Sequence, residues 1–286
     1  MAKAQPGVLR VVGVPIGNLG DVSERVRQAL GTATLVACED TRRCGQLYKL
    51  LGLKAPKLVS FHKENERAKV AQLAEAVAGG QDVVLVSDSG MPGISDPGAV
   101  LVAAVRAKNC AVEVVPGPSA VALAVSGSGF EGPFVFLGFL DRKAAARRAQ
   151  LQRVAGLGMT VVLYESPNRV AATLGEVQAV MGNRPAWLAR ELTKLHEEWL
   201  GPDVATIAAE VEARGGVKGE CVIVVDGRDS EPGVRDLGQA VANDEIRARL
   251  AAGGSVKDVA AWVASVEGCA KGAAYARVQS VKEETV

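Results

Sequence analysis

The sequence predicts an α/β protein: a first domain built on a parallel, doubly wound sheet, a second α/β domain with a mixed sheet, and a helical tail. Short β-branched runs alternate with amphipathic stretches through residues 8–125, the mark of a βαβ series. Strand-like runs then recur between residues 134 and 225, beyond a Gly/Pro-rich break. At 286 residues the chain has room for roughly two domains of about 100 to 200 residues each.

In order, residues 8–14 read as a strand, 22–30 as a helix, 33–38 as a strand and 43–51 as a helix. Residues 58–61 are a short strand, 66–78 a helix, 83–86 a strand, 98–108 a helix, 112–115 a strand and 119–125 a helix. Residues 126–133, Ser-Gly-Ser-Gly-Phe-Glu-Gly-Pro, have linker composition and place the boundary between a domain of 1–125 and one of 126–227. The second domain has strand candidates at 134–137, 159–164, 186–189 and 221–225, with helices between. Residues 227–233, Gly-Arg-Asp-Ser-Glu-Pro-Gly, read as a second linker, which opens the part 228–286. Helices follow from about residue 234, with Ser255 as an N-cap and Asp258 completing a capping-box-like pair. Charges in this tail nearly cancel. It therefore reads as a packing or dimer appendage more readily than as a nucleic-acid-binding helix-turn-helix.

Composition narrows the class. Hydrophobic residues make up 48% of the chain, and 33 basic residues face 32 acidic ones, so any nucleic-acid contact must come from local patches. The five cysteines, Cys38, Cys44, Cys110, Cys221 and Cys269, are odd in number and lack metal-ligand spacing, which points to a reducing cytoplasm and no metal site. No signal peptide precedes the first strand, and no apolar run approaches the roughly 18 residues needed to span a bilayer.

The chemistry gathers where strands end. From residue 83 the chain reads Val-Val-Leu-Val-Ser-Asp-Ser-Gly-Met-Pro-Gly-Ile-Ser-Asp-Pro-Gly, a buried strand running into a loop with two Ser-Asp pairs and three glycines. Carboxyl ends of parallel strands are where open α/β sheets bind ligands. Glycines there admit close backbone approach, and Asp88 and Asp96 supply carboxylates. Residues 11–21 open a strand into a Gly/Asn loop without the G-x-G-x-x-G spacing, and no phosphate-binding G-x-x-x-x-G-K-[ST] loop occurs. In residues 114–120, Val-Val-Pro-Gly-Pro-Ser-Ala, Pro118 stands where a helix can begin, so free N–H groups would face the same crevice and suit a small anion.

Six segments together resemble a known family: Pro15-Ile16-Gly17-Asn18-Leu19-Gly20-Asp21, Cys38-Glu39-Asp40-Thr41-Arg42, the loop from Ser87 to Gly98, Pro116-Gly117-Pro118-Ser119-Ala120, Tyr164-Glu165-Ser166-Pro167 and Arg190-Glu191-Leu192-Thr193-Lys194. In order and spacing they are similar to the ribosomal RNA small subunit methyltransferase I family, the ribose-methylating branch of the tetrapyrrole methylases. The resemblance implies a two-domain tetrapyrrole methylase-like fold, usually dimeric. It also implies S-adenosylmethionine as methyl donor and a cytidine ribose 2′-hydroxyl of 16S ribosomal RNA, free or in the small subunit, as acceptor. Donor-binding positions carried over are Pro15, Ser87, Asp88, Ser89, Gly90, Pro116, Gly117, Ser119 and Ala120. The Glu-Asp-Thr-Arg run falls on the acceptor side. The chain departs from the family pattern at Val14, Ser89, Met91 and Asn168; at 14, 91 and 168 side-chain contacts would differ, whereas backbone contacts in the same loops need not.

An acceptor hydroxyl must lose its proton, and a carboxylate near the cleft is the natural base. Asp40 is the first choice, Glu39 the alternative and Asp96 a third; Glu39 and Asp40 could equally pair with Arg42 and Arg43 or cap a helix. His62 and His196 stand apart from other metal-type ligands and read as structural or solvent-facing. For RNA phosphates the candidates are Arg42, Lys194 and the helically spaced cluster Arg142, Lys143, Arg147 and Arg148, with Arg153 beyond. A tetrapyrrole methyltransferase and a non-catalytic RNA-binding assembly factor are the competing readings.

Overall fold

The computed structural model describes residues 5–227, 243–267 and 271–283. Residues up to Asp226, apart from 154–159, form one compact unit, and residues from Gly227 onward, with 154–159, form another.

The first sheet is built from β1 (Val8–Val12), α1 (Glu24–Gly31), β2 (Leu35–Cys38), α2 (Thr41–Leu50), β3 (Lys57–Ser60), α3 (Glu66–Ala78), β4 (Val83–Val86), α4 (Ala99–Ala107) and β5 (Ala111–Val115). Its strands run in the order β3-β2-β4-β1-β5, all parallel. Helices cover both faces, so β2 and β4 are buried at every residue and read as unbroken apolar runs. Strand alternation sends Leu9, Leu35 and Leu85 to one core with Leu73, Val77 and Leu101. It sends Val12, Val36, Val84 and Val86 to the other, with Val26, Leu30 and Tyr48.

The chain continues through α5 (Ala120–Ser128), β6 (Phe134–Phe139), α6 (Ala144–Ala155), β7 (Thr160–Glu165), α7 (Val170–Met181), β8 (Ala186–Arg190), β9 (Glu198–Leu200), α8 (Val204–Ala213) and β10 (Cys221–Val225). The second sheet has the order β6-β7-β10-β8-β9 and is mixed: β6 and β7 are parallel, and the remaining pairs are antiparallel. Two expectations shift. Residues 126–128 form the last turn of α5, which closes at Gly129 in the left-handed region (φ 70°), so the linker composition begins inside a helix. The three-residue strand β9 carried no sequence signal because it is too short for alternation to show.

In the other unit, α9 (Asn243–Ala251), α10 (Val256–Glu267) and α11 (Lys271–Glu283) pack around Ile246, Val259, Val263, Ala274 and Val278. The Ser255 cap is present: its hydroxyl accepts from the Asp258 N–H at 3.2 Å and donates to the Asp258 carboxylate at 2.6 Å. Most of the second linker and Cys269 lie outside the described residues. Among the described residues no helix is long and apolar enough to cross a membrane, and no group of three metal-type ligands gathers.

Candidate active site

Two loops of the first sheet are stitched together by backbone. Val14 N–H donates to the Gly90 carbonyl at 3.0 Å, and Gly90 N–H returns to Val14 at 3.1 Å. These bonds need no particular side chain at 14, so the departure from the family pattern there leaves them intact. The Ser87 hydroxyl, buried, lies 3.0 Å from the Ser89 carbonyl and 3.1 Å from that of Gly90 and folds the loop back on itself. Further on, Ser95 holds φ at 65°, a conformation non-glycine residues seldom adopt, and it and Asp96 both border the site.

These loops face the ends of β7, β8 and β10 across a cavity of about 440 Å³. Ile16, Met91, Leu192 and Val222 line it with apolar side chains, and three carboxylates from the first-sheet loops, Glu39, Asp88 and Asp96, line it as well. Asp88 is tied up structurally, accepting from the Asp40 N–H at 2.9 Å and lying 3.6 Å from Arg43. Glu165 also borders the cavity but is spent: its carboxylate accepts from Thr173 at 2.6 Å and from the Ser166 N–H at 2.8 Å, and pairs with Arg169 at 3.2 Å. Glu220, which also borders the cavity, is paired with Lys194 at 3.0 Å, which leaves Glu39 and Asp96. Burial, reinforced by the charge of Asp88, raises Glu39 above the usual carboxylate range. Burial, reinforced by Glu39, pushes Asp96 up to about 6.

Asp40 is placed differently from expectation. It does not line the cavity; it is the N-cap of α2, accepting from the Arg42 N–H at 2.8 Å and pairing with the Arg42 guanidinium at 2.8 Å. The Arg42 hydrogen bond holds its carboxyl far below the usual range, which makes it a poor proton acceptor. Arg42 in turn is neutralised by the same contact.

Of the donor-binding candidates, Asp88, Ser89, Gly90, Ser119 and Ala120 line the cavity. Pro15, Ser87, Pro116 and Gly117 do not. Pro116 and Gly117 border a separate shallow depression with Asp21 and Thr193, because Gly117 packs on the backbone of Gly13: a Cβ there would sit 2.6 Å from it. A bulkier residue at 117 would therefore distort the loops themselves, and so cannot report cleanly on a ligand. Lys194 is paired with Glu191 at 2.9 Å and Glu220 at 3.0 Å. In the basic cluster Arg142 and Lys143 are exposed, whereas Arg147 is buried, directing its guanidinium to the carbonyls of Asp141 and Arg142 at 3.4 Å. Arg148 is held by Glu176 at 2.9 Å. Tyr164, within the Tyr164-Glu165-Ser166-Pro167 segment quoted above, and Phe139 border the cavity as well. They lie far along the chain from the Ser87 loop, and only the fold brings them together.

The chain, with its parallel first sheet and mixed second sheet, belongs to the tetrapyrrole (corrin/porphyrin) methylases: its residues 8–208 match the model of that family. Solved structures show the same fold, among them the methyltransferase CobJ (TM-score 0.58, 19% identity, covering 77% of this chain and 93% of that one) and diphthine synthase (TM-score 0.55, 14% identity, covering 76% and 89%). Within the class the chain is similar to ribosomal RNA small subunit methyltransferase I. It is 42% identical to that of Xylella fastidiosa over 78% of this chain and 82% of the relative, and 41% identical to that of Mycobacterium bovis over 91% and 90%. The Thermotoga maritima relative, 38% identical, is matched over its whole length by 78% of this chain.

Proposed function

We propose that the chain transfers a methyl group from S-adenosylmethionine to the ribose 2′-hydroxyl of a cytidine in 16S ribosomal RNA. The observation that carries this reading is the likeness of about 40% identity, over most of the chain, to methyltransferases named for the small-subunit ribosomal RNA. The cavity fits the donor. A cationic ligand with an apolar body suits a cavity lined by carboxylates and by Ile16, Met91, Leu192 and Val222.

When bound, S-adenosylmethionine supplies an electrophilic methyl on a positively charged sulfur. The residues of the chain hold and orient it: Glu39 and Asp96 complement its charge, and Ser89, Gly90, Ser119 and Ala120 shape its seat. Asp96 takes the proton of the acceptor hydroxyl. Its carboxylate lines the cavity, and a pKa of about 6 leaves it ionised near neutral pH yet far more basic than Asp40. Glu39, its neighbour in charge, is the second choice. Held reactants account for much of the acceleration, on the order of 7 to 11 kcal/mol for well-aligned groups.

Substrate RNA is reached through Arg142 and Lys143, in the ribosome-bearing cytoplasm, by a homodimer. Its apolar exposed residues Val100 on α4 and Val114 on β5, 39% and 54% exposed, suit a partner copy. The test is mass mapping of ribose methylation in small-subunit RNA from cells with and without the chain, followed by methylation of that RNA with purified protein. A single cytidine should lose its 2′-O-methyl mark and regain it in vitro. An unchanged map, or methylation of a tetrapyrrole in place of RNA, would overturn the reading.

A further inference from the structure

Phe139 is the last residue of β6; it borders the cavity and stands 54% exposed. Its position depends on an irregularity. In β6, Phe136 pairs with Val162 and Gly138 with Leu163, leaving Leu137 as an extra residue; Gly138 beside it adopts φ 63°, a left-handed conformation open to glycine. Plain alternation would send Phe136 and Phe139 to opposite faces. With one residue inserted they share a face, and both rings meet Tyr164 edge-on, at centroid distances of 4.8 and 5.6 Å. The bulge thus moves Phe139 from the outside of the sheet to the mouth of the site.

The segment that follows is anchored. Arg169 donates to the carbonyls of Leu140 at 2.7 Å and Asp141 at 3.2 Å, Arg147 lies beneath Asp141 and Arg142, and Asp141 N–H donates to Gln150 at 2.8 Å. Ile94, which also borders the cavity, is a second exposed apolar side chain, 38% exposed. Arg142 and Lys143 lie three and four residues beyond the ring, both exposed.

We propose that Phe139 is the platform on which the base of the acceptor nucleotide stacks, with Arg142 and Lys143 holding the flanking phosphates. A ribose hydroxyl cannot reach an enclosed cavity from within a stacked helix, so its nucleotide must be splayed out, and an unstacked base needs a π-face to replace its neighbours. A rigid aromatic ring beside cations provides one. This assignment rests on the RNA-methylating reading above.

The experiment measures steady-state methylation of small-subunit RNA by the full-length chain and by Phe139→Ala, Phe139→Leu and Phe139→Trp, with S-adenosylmethionine affinity by calorimetry alongside. Stacking predicts that Ala and Leu lower kcat/KM for RNA by about 10- to 100-fold, chiefly through KM, while Trp stays within about threefold and donor affinity holds in all three. Full rescue by Leu would show that the ring only packs, and loss of donor affinity in place of RNA recognition would put the ring on the donor side; either overturns the assignment. Wild-type rates in all three variants would do the same while leaving the RNA reading standing. An inactive wild type would remove that reading, and this one with it.

Discussion

Two aspartates that a motif scan treats alike become opposite acids in the fold. Asp40 points along α2 and is bound by Arg42; Asp96 sits on a strained turn among carboxylates with water partly excluded. For a base the ionised form is the working one, so methyl transfer should fall as pH drops through about 6, with a slope of one proton. Asp96→Asn should cut kcat by about 10² to 10⁴ and remove that limb, whereas Asp40→Asn should leave it in place. Rate-against-pH profiles for the three proteins check this, and an unaltered low-pH limb in Asp96→Asn would move the base to Glu39. Stability gives an independent sign. Asp96 binds its proton more tightly folded than unfolded, so its cost is absent below the ordinary value of 3.8 and grows as pH rises through about 6. Asp96→Asn should therefore raise the melting temperature at about pH 8 and leave it unchanged near pH 3.

At the scale of elements, adjacent arginines on α6 have different work. Arg147 is buried and satisfies carbonyls of the turn that carries Arg142 and Lys143, with Glu176 at 3.9 Å; Arg148, on the surface, pairs with that same Glu176. Removing Arg147 takes away the packing of its buried side chain and two long hydrogen bonds to the turn, so Arg147→Ala should lower the unfolding free energy by about 1 to 3 kcal/mol. Arg148→Ala should cost no more than about 1 kcal/mol. Urea unfolding of both variants measures the contrast. Helical spacing placed the two together as one basic face, and it could not tell which charge the turn 140–143 would cover. The strands were legible for the opposite reason: β2, β4 and β10 are buried on both faces, so their apolar runs need no knowledge of the rest of the chain. A bulge such as that at Leu137 leaves no such trace, because one added residue in an apolar run changes the face of every side chain after it without changing the composition. The second wall of the cavity was equally hidden. Tyr164, Leu192 and Val222 meet the Ser87 loop only through the pairing of β7, β8 and β10.

Over the whole molecule the charges nearly cancel, at a net +1, so no long-range field draws a polyanion to the chain. Attraction to RNA must then reside in cations that the fold leaves unneutralised near the site. Arg42 is paired with Asp40, Lys194 with Glu191 and Glu220, Arg148 with Glu176, and Arg147 is buried. Of the cations singled out in the sequence, Arg142 and Lys143 remain exposed, three and four residues beyond Phe139. Each phosphate contact displaces condensed counterions and adds about 0.7 to 0.9 to the slope of log affinity against log salt. The double change Arg142→Ala with Lys143→Ala should therefore flatten that slope by about 1.4 to 1.8 and weaken RNA binding at physiological salt, with S-adenosylmethionine affinity unaltered. Arg148→Ala should shift the slope by less than about half a unit, since its charge is already met by Glu176. Titrations of small-subunit RNA at several salt concentrations decide the matter. Equal slopes for wild type and the double variant would place the phosphate contacts elsewhere on the chain.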